Sequence, residues 1–159
     1  QAEDGIRDAL VGLVGSEMCI RDRMPPLPIG QGPIGTRMYY EVSGGEIIGE
    51  RLRGKLLGGG DWGLIGPDGF LRLAVRLQAE THDGALIYIQ YTGLLELNDK
   101  VQTALANGTG TDFSDQYIYT NPRMETGDER YAWVNTTFFV GEGCIRPDLG
   151  VGYRLWRPA

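Results

Sequence analysis

Asp61 is the residue best suited to chemistry, because it follows three glycines and precedes a tryptophan in the run Gly58-Gly59-Gly60-Asp61-Trp62. A carboxyl held against an aromatic side chain loses hydration, which raises its pKa. Such a carboxyl can act as a general acid or base near neutral pH. The same spacing also fits a structural role, in which Asp61 accepts backbone hydrogen bonds at the bend and Trp62 fills core.

Arg76 and Glu125 are the other candidate catalytic residues. Arg76 lies among apolar residues of a predicted strand, where an inward-facing cation would need a partner and could bind a carboxylate or a developing oxyanion. Strand alternation places Arg72 and Gln78 on the same face, which equally favours a solvent-facing stripe. Glu125 can pair with a neighbouring arginine, and we interpret it as a site residue.

Six further residues, five of them aromatic, are expected to bind a ligand. A buried tyrosine needs a partner for its hydroxyl, a need that suits a phenolic ligand, although core filling is the alternative. Asn135 would share a face with two of the aromatics if residues 131–140 form a strand. The predicted ligand-binding residues are Trp62, Tyr88, Tyr119, Tyr131, Trp133 and Asn135.

The composition of the 159 residues limits the possible partners. A net charge of −6 disfavours nucleic-acid and anionic-membrane surfaces, which need clustered Lys and Arg. One His and two Cys disfavour a metal site and a disulfide framework, and we expect no cofactor. No apolar run approaches the ~20 residues of a membrane-spanning helix. We expect a cytoplasmic protein that binds a small molecule and can form a homo-oligomer.

The hydrophobic pattern predicts an all-β, antiparallel fold. Residues 70–80 alternate cleanly between apolar and polar, and the turn His82-Asp83-Gly84 leads into a second strand at 85–92. No helical segment of 10–15 residues separates the predicted strands, which favours a closed or nearly closed barrel. The other predicted strands are 36–42, 51–57, 62–65, 115–120, 131–140 and 150–156.

Residues 1–23 read differently from the rest of the chain. The run Glu17-Met18-Cys19-Ile20-Arg21-Asp22-Arg23 resembles the translation of a sequencing adaptor, and such segments are excluded from fold reasoning. A signal peptide and a genuine extension are the rival readings. We therefore predict a non-native or disordered segment at 1–23 and a single β-barrel domain at 24–159.

Three blocks carry a family resemblance: Gly58 to Trp62, Asp83 to Tyr88, and Glu125-Thr126-Gly127 through Trp133. On these blocks the chain resembles the family known as domain of unknown function 3237. The resemblance implies a lipocalin-like or allene-oxide-cyclase-like barrel with a small hydrophobic or phenolic ligand. It also implies a strand before residue 29, so this barrel either is complete or lacks its first strand.

Three functions are consistent with these features. The first is binding of a small hydrophobic or phenolic molecule inside the barrel. The second is a cofactor-free isomerase or cyclase, in which Asp61 moves a proton and Arg76 steadies an enolate. The third is a structural barrel with a filled core. The sequence leaves open whether the protein is an enzyme.

Overall fold

The computed structural model describes residues 16–21 and 25–157. Its strands all join one antiparallel sheet, and the pairing of β5 with β6 closes that sheet on itself. The strands are β1 (Ser16–Arg21), β2 (Leu27–Gly32), β3 (Gly35–Val42), β4 (Gly44–Gly49), β5 (Gly54–Ile65), β6 (Phe70–Thr81), β7 (Leu86–Glu96), β8 (Ile118–Glu125), β9 (Val140–Arg146) and β10 (Gly150–Trp156). Helix α1 covers Asp99–Asn107, and 3-10 turns cover Phe113–Asp115, Glu129–Thr136 and Pro147–Leu149.

Two pairs of short strands behave as single, interrupted strands. β3 and β4 follow each other along the same edge of β5 in one continuous register. β1 and β2 likewise follow each other along the outer edge of β4 and β3. β1 also pairs with β10, so the result is a closed eight-stranded antiparallel barrel. The predicted all-β barrel is confirmed.

Strand β1 lies inside the segment that the sequence analysis placed outside the domain. It pairs with β4 on one side and β10 on the other, and its Met18 and Ile20 are buried in the core. The barrel therefore does not lack this strand, because apolar residues at alternate positions of 16–21 fit between β4 and β10. Residues 1–15 and 22–23 of the same segment lie outside the described residues, and a non-native origin of the segment stays a prediction.

The barrel interior has two parts that differ in packing. The filled half is packed solid with large apolar side chains, among them Met18, Ile47, Leu56, Leu77, Ile87, Ile89 and Leu155. The hollow half surrounds a cavity at the end of the barrel where α1 and the β9–β10 turn lie. Its walls are formed by residues of β1, β3, β5, β6, β7, β9 and β10.

Candidate functional site

Asp61 projects from β5 into the hollow half, with 7% of its surface exposed. The paired residues of β5 and β6 extend up to Asp61–Val75, and the pairing resumes at Leu64–Arg72. In the interval the Ala74 N–H donates to Asp61 Oδ1 at 2.9 Å. Among the described residues the other carboxyl oxygen, Oδ2, receives no hydrogen bond. One oxygen therefore has a structural role and the second is available to the cavity.

Burial raises the pKa of Asp61 to about 6. The Ala74 N–H and the positive charge of Arg37 act in the opposite direction and only partly offset the loss of hydration. Arg37 itself donates to the Trp62 carbonyl oxygen at 2.8 Å. A carboxyl with this pKa exchanges its proton close to physiological pH, which few acids on a protein surface do.

The cavity has a volume of about 310 Å³ and a mostly apolar wall. Tyr40, Tyr91 and Tyr153 bring polar groups to it besides Asp61. The Tyr91 hydroxyl donates to the Tyr153 hydroxyl at 3.5 Å, and the two rings meet edge to face at 5.5 Å. The apolar lining consists of Ile20, Pro26, Val42, Leu71, Leu73, Val75, Leu95, Leu97, Leu105, Ile145, Leu149 and Val151.

Asp61 and Tyr91 lie at one level of the barrel, separated by a single strand. Asp61 pairs with Val75, and Val75 pairs with Tyr91. Two strand spacings separate their backbones by about 9–10 Å. Their side chains therefore enter the cavity at the same level, a carboxyl acceptor from β5 and a phenol hydroxyl from β7.

Trp62 does not form a wall beside the Asp61 carboxyl, so that prediction was wrong. Successive residues of a strand point to opposite faces, and Trp62 points outward with 44% of its surface exposed. Its ring contacts Tyr39, with centroids 5.1 Å apart. The pKa of Asp61 is raised by the barrel interior as a whole rather than by an indole.

Arg76 and Glu125 are also outside the barrel, which contradicts their predicted place in the pocket. Arg76 alternates with the buried Val75 and Leu77, so it must face solvent. Glu125 follows the buried Met124 and is exposed in the same way. The solvent-facing alternative for Arg76 is the one that the structure adopts.

Two of the predicted tyrosines lie on the outer face as well. Tyr88 is exposed and donates its hydroxyl to Gln90 Oε1 at 3.1 Å. Tyr119 is half-buried and donates to Glu142 Oε1 at 3.4 Å. Both belong to the polar surface of the sheet and do not reach the cavity.

Tyr131, Trp133 and Asn135 lie on a 3-10 segment, Glu129–Thr136, where the sequence predicted a strand. Without strand alternation they do not share an inward face. Asn135 accepts from the Thr126 N–H at 2.8 Å and donates to the Thr126 carbonyl at 3.0 Å. Trp133 is half-buried, with the Arg51 guanidinium 4.1 Å above its ring.

Tyr131 joins a polar cluster around Asp83 in the β6–β7 turn. Its hydroxyl donates to Asp83 Oδ1 at 2.7 Å, and the Thr81 hydroxyl does the same at 2.7 Å. Arg130 adds an ion pair at 3.1 Å. These donors lower the pKa of Asp83 to about 2. The cluster fixes the turn, and its carboxyl stays ionised.

Sequence reasoning missed the interior tyrosines Tyr40, Tyr91 and Tyr153. Tyr91 shares the face of Ile87 and Ile89, and Tyr153 shares that of Val151 and Leu155, so alternation within their strands could have identified both. Within the described part of the chain, no group of three acidic, His or Cys residues could hold a metal ion. The same residues contain no helix with the length and apolarity needed to cross a bilayer.

The fold and this site define an antiparallel β-barrel with an apolar cavity that holds one protonatable carboxyl. A sequence model of the family described as "Protein of unknown function (DUF3237)" matches residues 18–157. The chain therefore belongs to that family. It is 33% identical over 120 residues to a UPF0311 protein of Rhodopseudomonas palustris, covering 74% of this chain and 78% of that one. A UPF0311 protein of Clostridium acetobutylicum is 34% identical over 117 residues, covering 72% and 74%.

Solved structures have the same architecture. A conserved protein of unknown function from R. palustris has a TM-score of 0.78 at 29% identity, covering 91% of this chain and 94% of that one. A β-barrel-like protein from Acinetobacter baumannii has a TM-score of 0.75 at 27% identity, with the same coverage. An enzyme from Penicillium herquei has a TM-score of 0.63 at 19% identity, covering 91% of each chain, and shows the fold alone.

Proposed function

We propose that the hollow half binds a small, largely apolar molecule that carries a hydroxyl or phenol group. The observation that carries this proposal is the cavity of about 310 Å³ with a single desolvated carboxyl in its wall. Ligand pockets are mostly apolar and contain a few polar groups that fix orientation. Asp61 and the Tyr91–Tyr153 pair are those groups here.

The volume limits the size of the ligand. It lies at the lower end of the range of ~300–1,000 Å³ for small-molecule sites. It corresponds to about ten molecules of liquid water at ~30 Å³ each. One or two fused rings with few substituents fit that volume, whereas a long-chain lipid does not.

The charge of the site selects a neutral hydrogen-bond donor. Asp61 Oδ2 can accept a hydrogen bond from a ligand hydroxyl. An anionic ligand would repel the ionised Asp61 in a poorly solvated space. Entry is through the end of the barrel lined by Leu105 of α1 and Leu149, which are both partly exposed.

The experiment uses 2-naphthol as probe and two variants of adjacent residues. Val75→Phe fills the cavity, and the matched Ala74→Phe adds a ring on the outer face of the same strand. Calorimetric titration should show 2-naphthol bound by the wild type and by Ala74→Phe, and lost in Val75→Phe. Equal binding by all three folded proteins would place the probe outside the cavity and contradict the proposal.

A second function, cofactor-free proton transfer, is favoured by the pKa of Asp61 of about 6, by its place in the cavity wall and by its second carboxyl oxygen, which receives no hydrogen bond from the described residues. In that scheme the carboxylate takes a proton from a carbon next to a ligand carbonyl. The pair of electrons left on carbon forms an enolate, and the Asp61 carboxylic acid then returns a proton to the same or another carbon. A tyrosine hydroxyl across the cavity can donate to the enolate oxygen.

Deuterium exchange at the carbons beside the carbonyl of 2-tetralone tests this second function. We expect wild-type protein to accelerate exchange in D₂O, followed by NMR. The rate should rise with pH through about 6, because the base form of Asp61 is required. Asp61→Asn should reduce exchange to the buffer rate; acceleration that survives in this variant would exclude Asp61 as the base.

A further inference from the structure

The outer face of the barrel carries a second recess, on the side of β5, β6 and β7 opposite the cavity. Its volume is about 340 Å³, and the outward-facing residues that line it are Trp62, Ala74, Arg76, Gln90 and Thr92. Val75 and Tyr91 also border it, but both are buried and their side chains line the interior cavity. Ala74 and Thr92 are short side chains that form its floor. We propose that this recess binds a small planar aromatic carboxylate. Two residues that the sequence assigned to the interior thus meet on the exterior.

The aromatic side of the recess, Trp62, is held in place by neighbouring residues. The Trp62 ring lies against Tyr39, and Gly60 makes room for that tyrosine, since a Cβ at Gly60 would lie 2.4 Å from Tyr39 Cε2. Trp62 nevertheless stays 44% exposed. A fixed indole with a free surface offers a stacking partner to a flat ring at small entropic cost.

The cationic side is formed by Arg76, with Arg123 beyond it. Arg76 pairs across the strands with Gln90, and Gln90 with Arg123, so all three side chains share one row of the outer face. Among the described residues, neither guanidinium has an ion-pair or hydrogen-bond partner. The chain carries a net charge of −6, so two unpaired arginines in one row are not a product of a basic composition.

The spacing of Ala74 and Arg76 along β6 fits a ligand with one aromatic ring and one carboxylate. Ala74 and Arg76 are two residues apart on the same face of β6, which separates them by about 6.6 Å. A ring lying on Ala74 against the indole places its carboxylate at the Arg76 guanidinium, whose fork matches a carboxylate with two hydrogen bonds. The site selects an anion, whereas the interior cavity repels one.

The test is a calorimetric titration with 2-naphthoate, and with 2-naphthamide as its uncharged equivalent. Wild-type protein should bind the naphthoate saturably and more tightly than the amide. Arg76→Gln should weaken naphthoate binding by about tenfold, and Ala74→Phe should abolish it. Arg72→Gln is the matched control, because Arg72 lies on the same face of the same strand but is already paired with Asp68 at 2.6 Å.

Naphthoate binding should stay within about twofold of wild type in Arg72→Gln and in the cavity variant Val75→Phe. Equal weakening by Arg72→Gln would show a general charge effect and overturn the proposal. Loss of binding in Val75→Phe would place the naphthoate in the interior, with the same consequence. Absence of saturable binding up to about 10 mM would overturn it as well. Because 2-naphthol tests the cavity and 2-naphthoate the recess, one site can fail without the other.

Discussion

The filled and hollow halves are enclosed by the same eight strands but differ in their inward-facing residues. In the filled half β6 and β7 contribute Leu77, Ile87 and Ile89, all essentially inaccessible to solvent. In the hollow half Leu71, Leu73 and Val75 of β6 line the cavity instead of meeting a packed core. Asp61, the carboxyl whose pKa is raised, lies in the hollow half. The comparison shows that one closed sheet can hold a packed core and an open cavity at different levels along its axis.

The largest difference in the free energy of unfolding is expected between alanine variants of two leucines of β6. Leu77 is fully buried in the filled half, so Leu77→Ala should lower the free energy of unfolding by about 4 kcal/mol. Leu73 already borders the cavity, and Leu73→Ala should cost about 2 kcal/mol, since fewer contacts are lost. Urea unfolding of both variants measures the two values; equal losses would contradict the division into halves.

Met18 tests whether β1 contributes to the filled half. Its side chain is fully buried between β4 and β10, so Met18→Ala should cost about 3 kcal/mol. Glu17→Ala, at an exposed position of the same strand, serves as the control and should have little effect. An unfolding free energy unchanged in Met18→Ala would mean that Ser16–Arg21 is not part of the barrel.

Asp61→Asn should stabilise the protein above pH 6. The folded-state pKa of Asp61, about 6, is higher than its ordinary value of 3.8, so stability falls as pH rises between these values. Asparagine removes that cost of up to about 3 kcal/mol and still accepts from the Ala74 N–H. Thermal unfolding should show the gain above pH 6 and none near pH 4. A stabilisation by Asp61→Asn that does not vary with pH would mean that the raised pKa of Asp61 is not its cause.

The smallest effect on the free energy of unfolding is expected at the β6–β7 turn, beside the filled half. Tyr131→Phe removes one donor to Asp83 and should cost about 1 kcal/mol. The lowered pKa of Asp83, about 2, means that its contribution is present above pH 4 and is lost as pH falls towards 2. Unfolding curves should therefore show a smaller difference between wild type and variant at pH 2 than at pH 7, and an equal difference at both would mean that Asp83 ionisation does not contribute.

Much of the fold could be predicted from local patterns. The alternation in 70–80 gives the correct inward set, including Leu73 and Leu77, because a strand with one buried face shows a period of two. The same rule, applied to Asp61 and Trp62, would have placed them on opposite faces. The prediction of an acid against an indole treated neighbours in sequence as neighbours in space.

Other parts of the fold could not be predicted from local sequence patterns. The 3-10 segment Glu129–Thr136 carries aromatic residues typical of a strand, but the side-chain bonds between Asn135 and Thr126 fix it in another conformation. The pairing of β1 with β10 joins residues more than a hundred positions apart. No local pattern in 16–21 identifies that partner, and the closed cavity exists only when both strands are in place.

The pairing of β1 with β10 also determines when the barrel can form during synthesis. Residues 16–21 leave the ribosome before residues 150–156, so their second edge stays uncovered until β10 emerges. Until then the open sheet exposes hydrogen-bonding groups at both edges, a state that attracts chaperones and other nascent chains. The arrival of β10 therefore covers an aggregation-prone edge, and the barrel can close only after residues 150–156 have emerged.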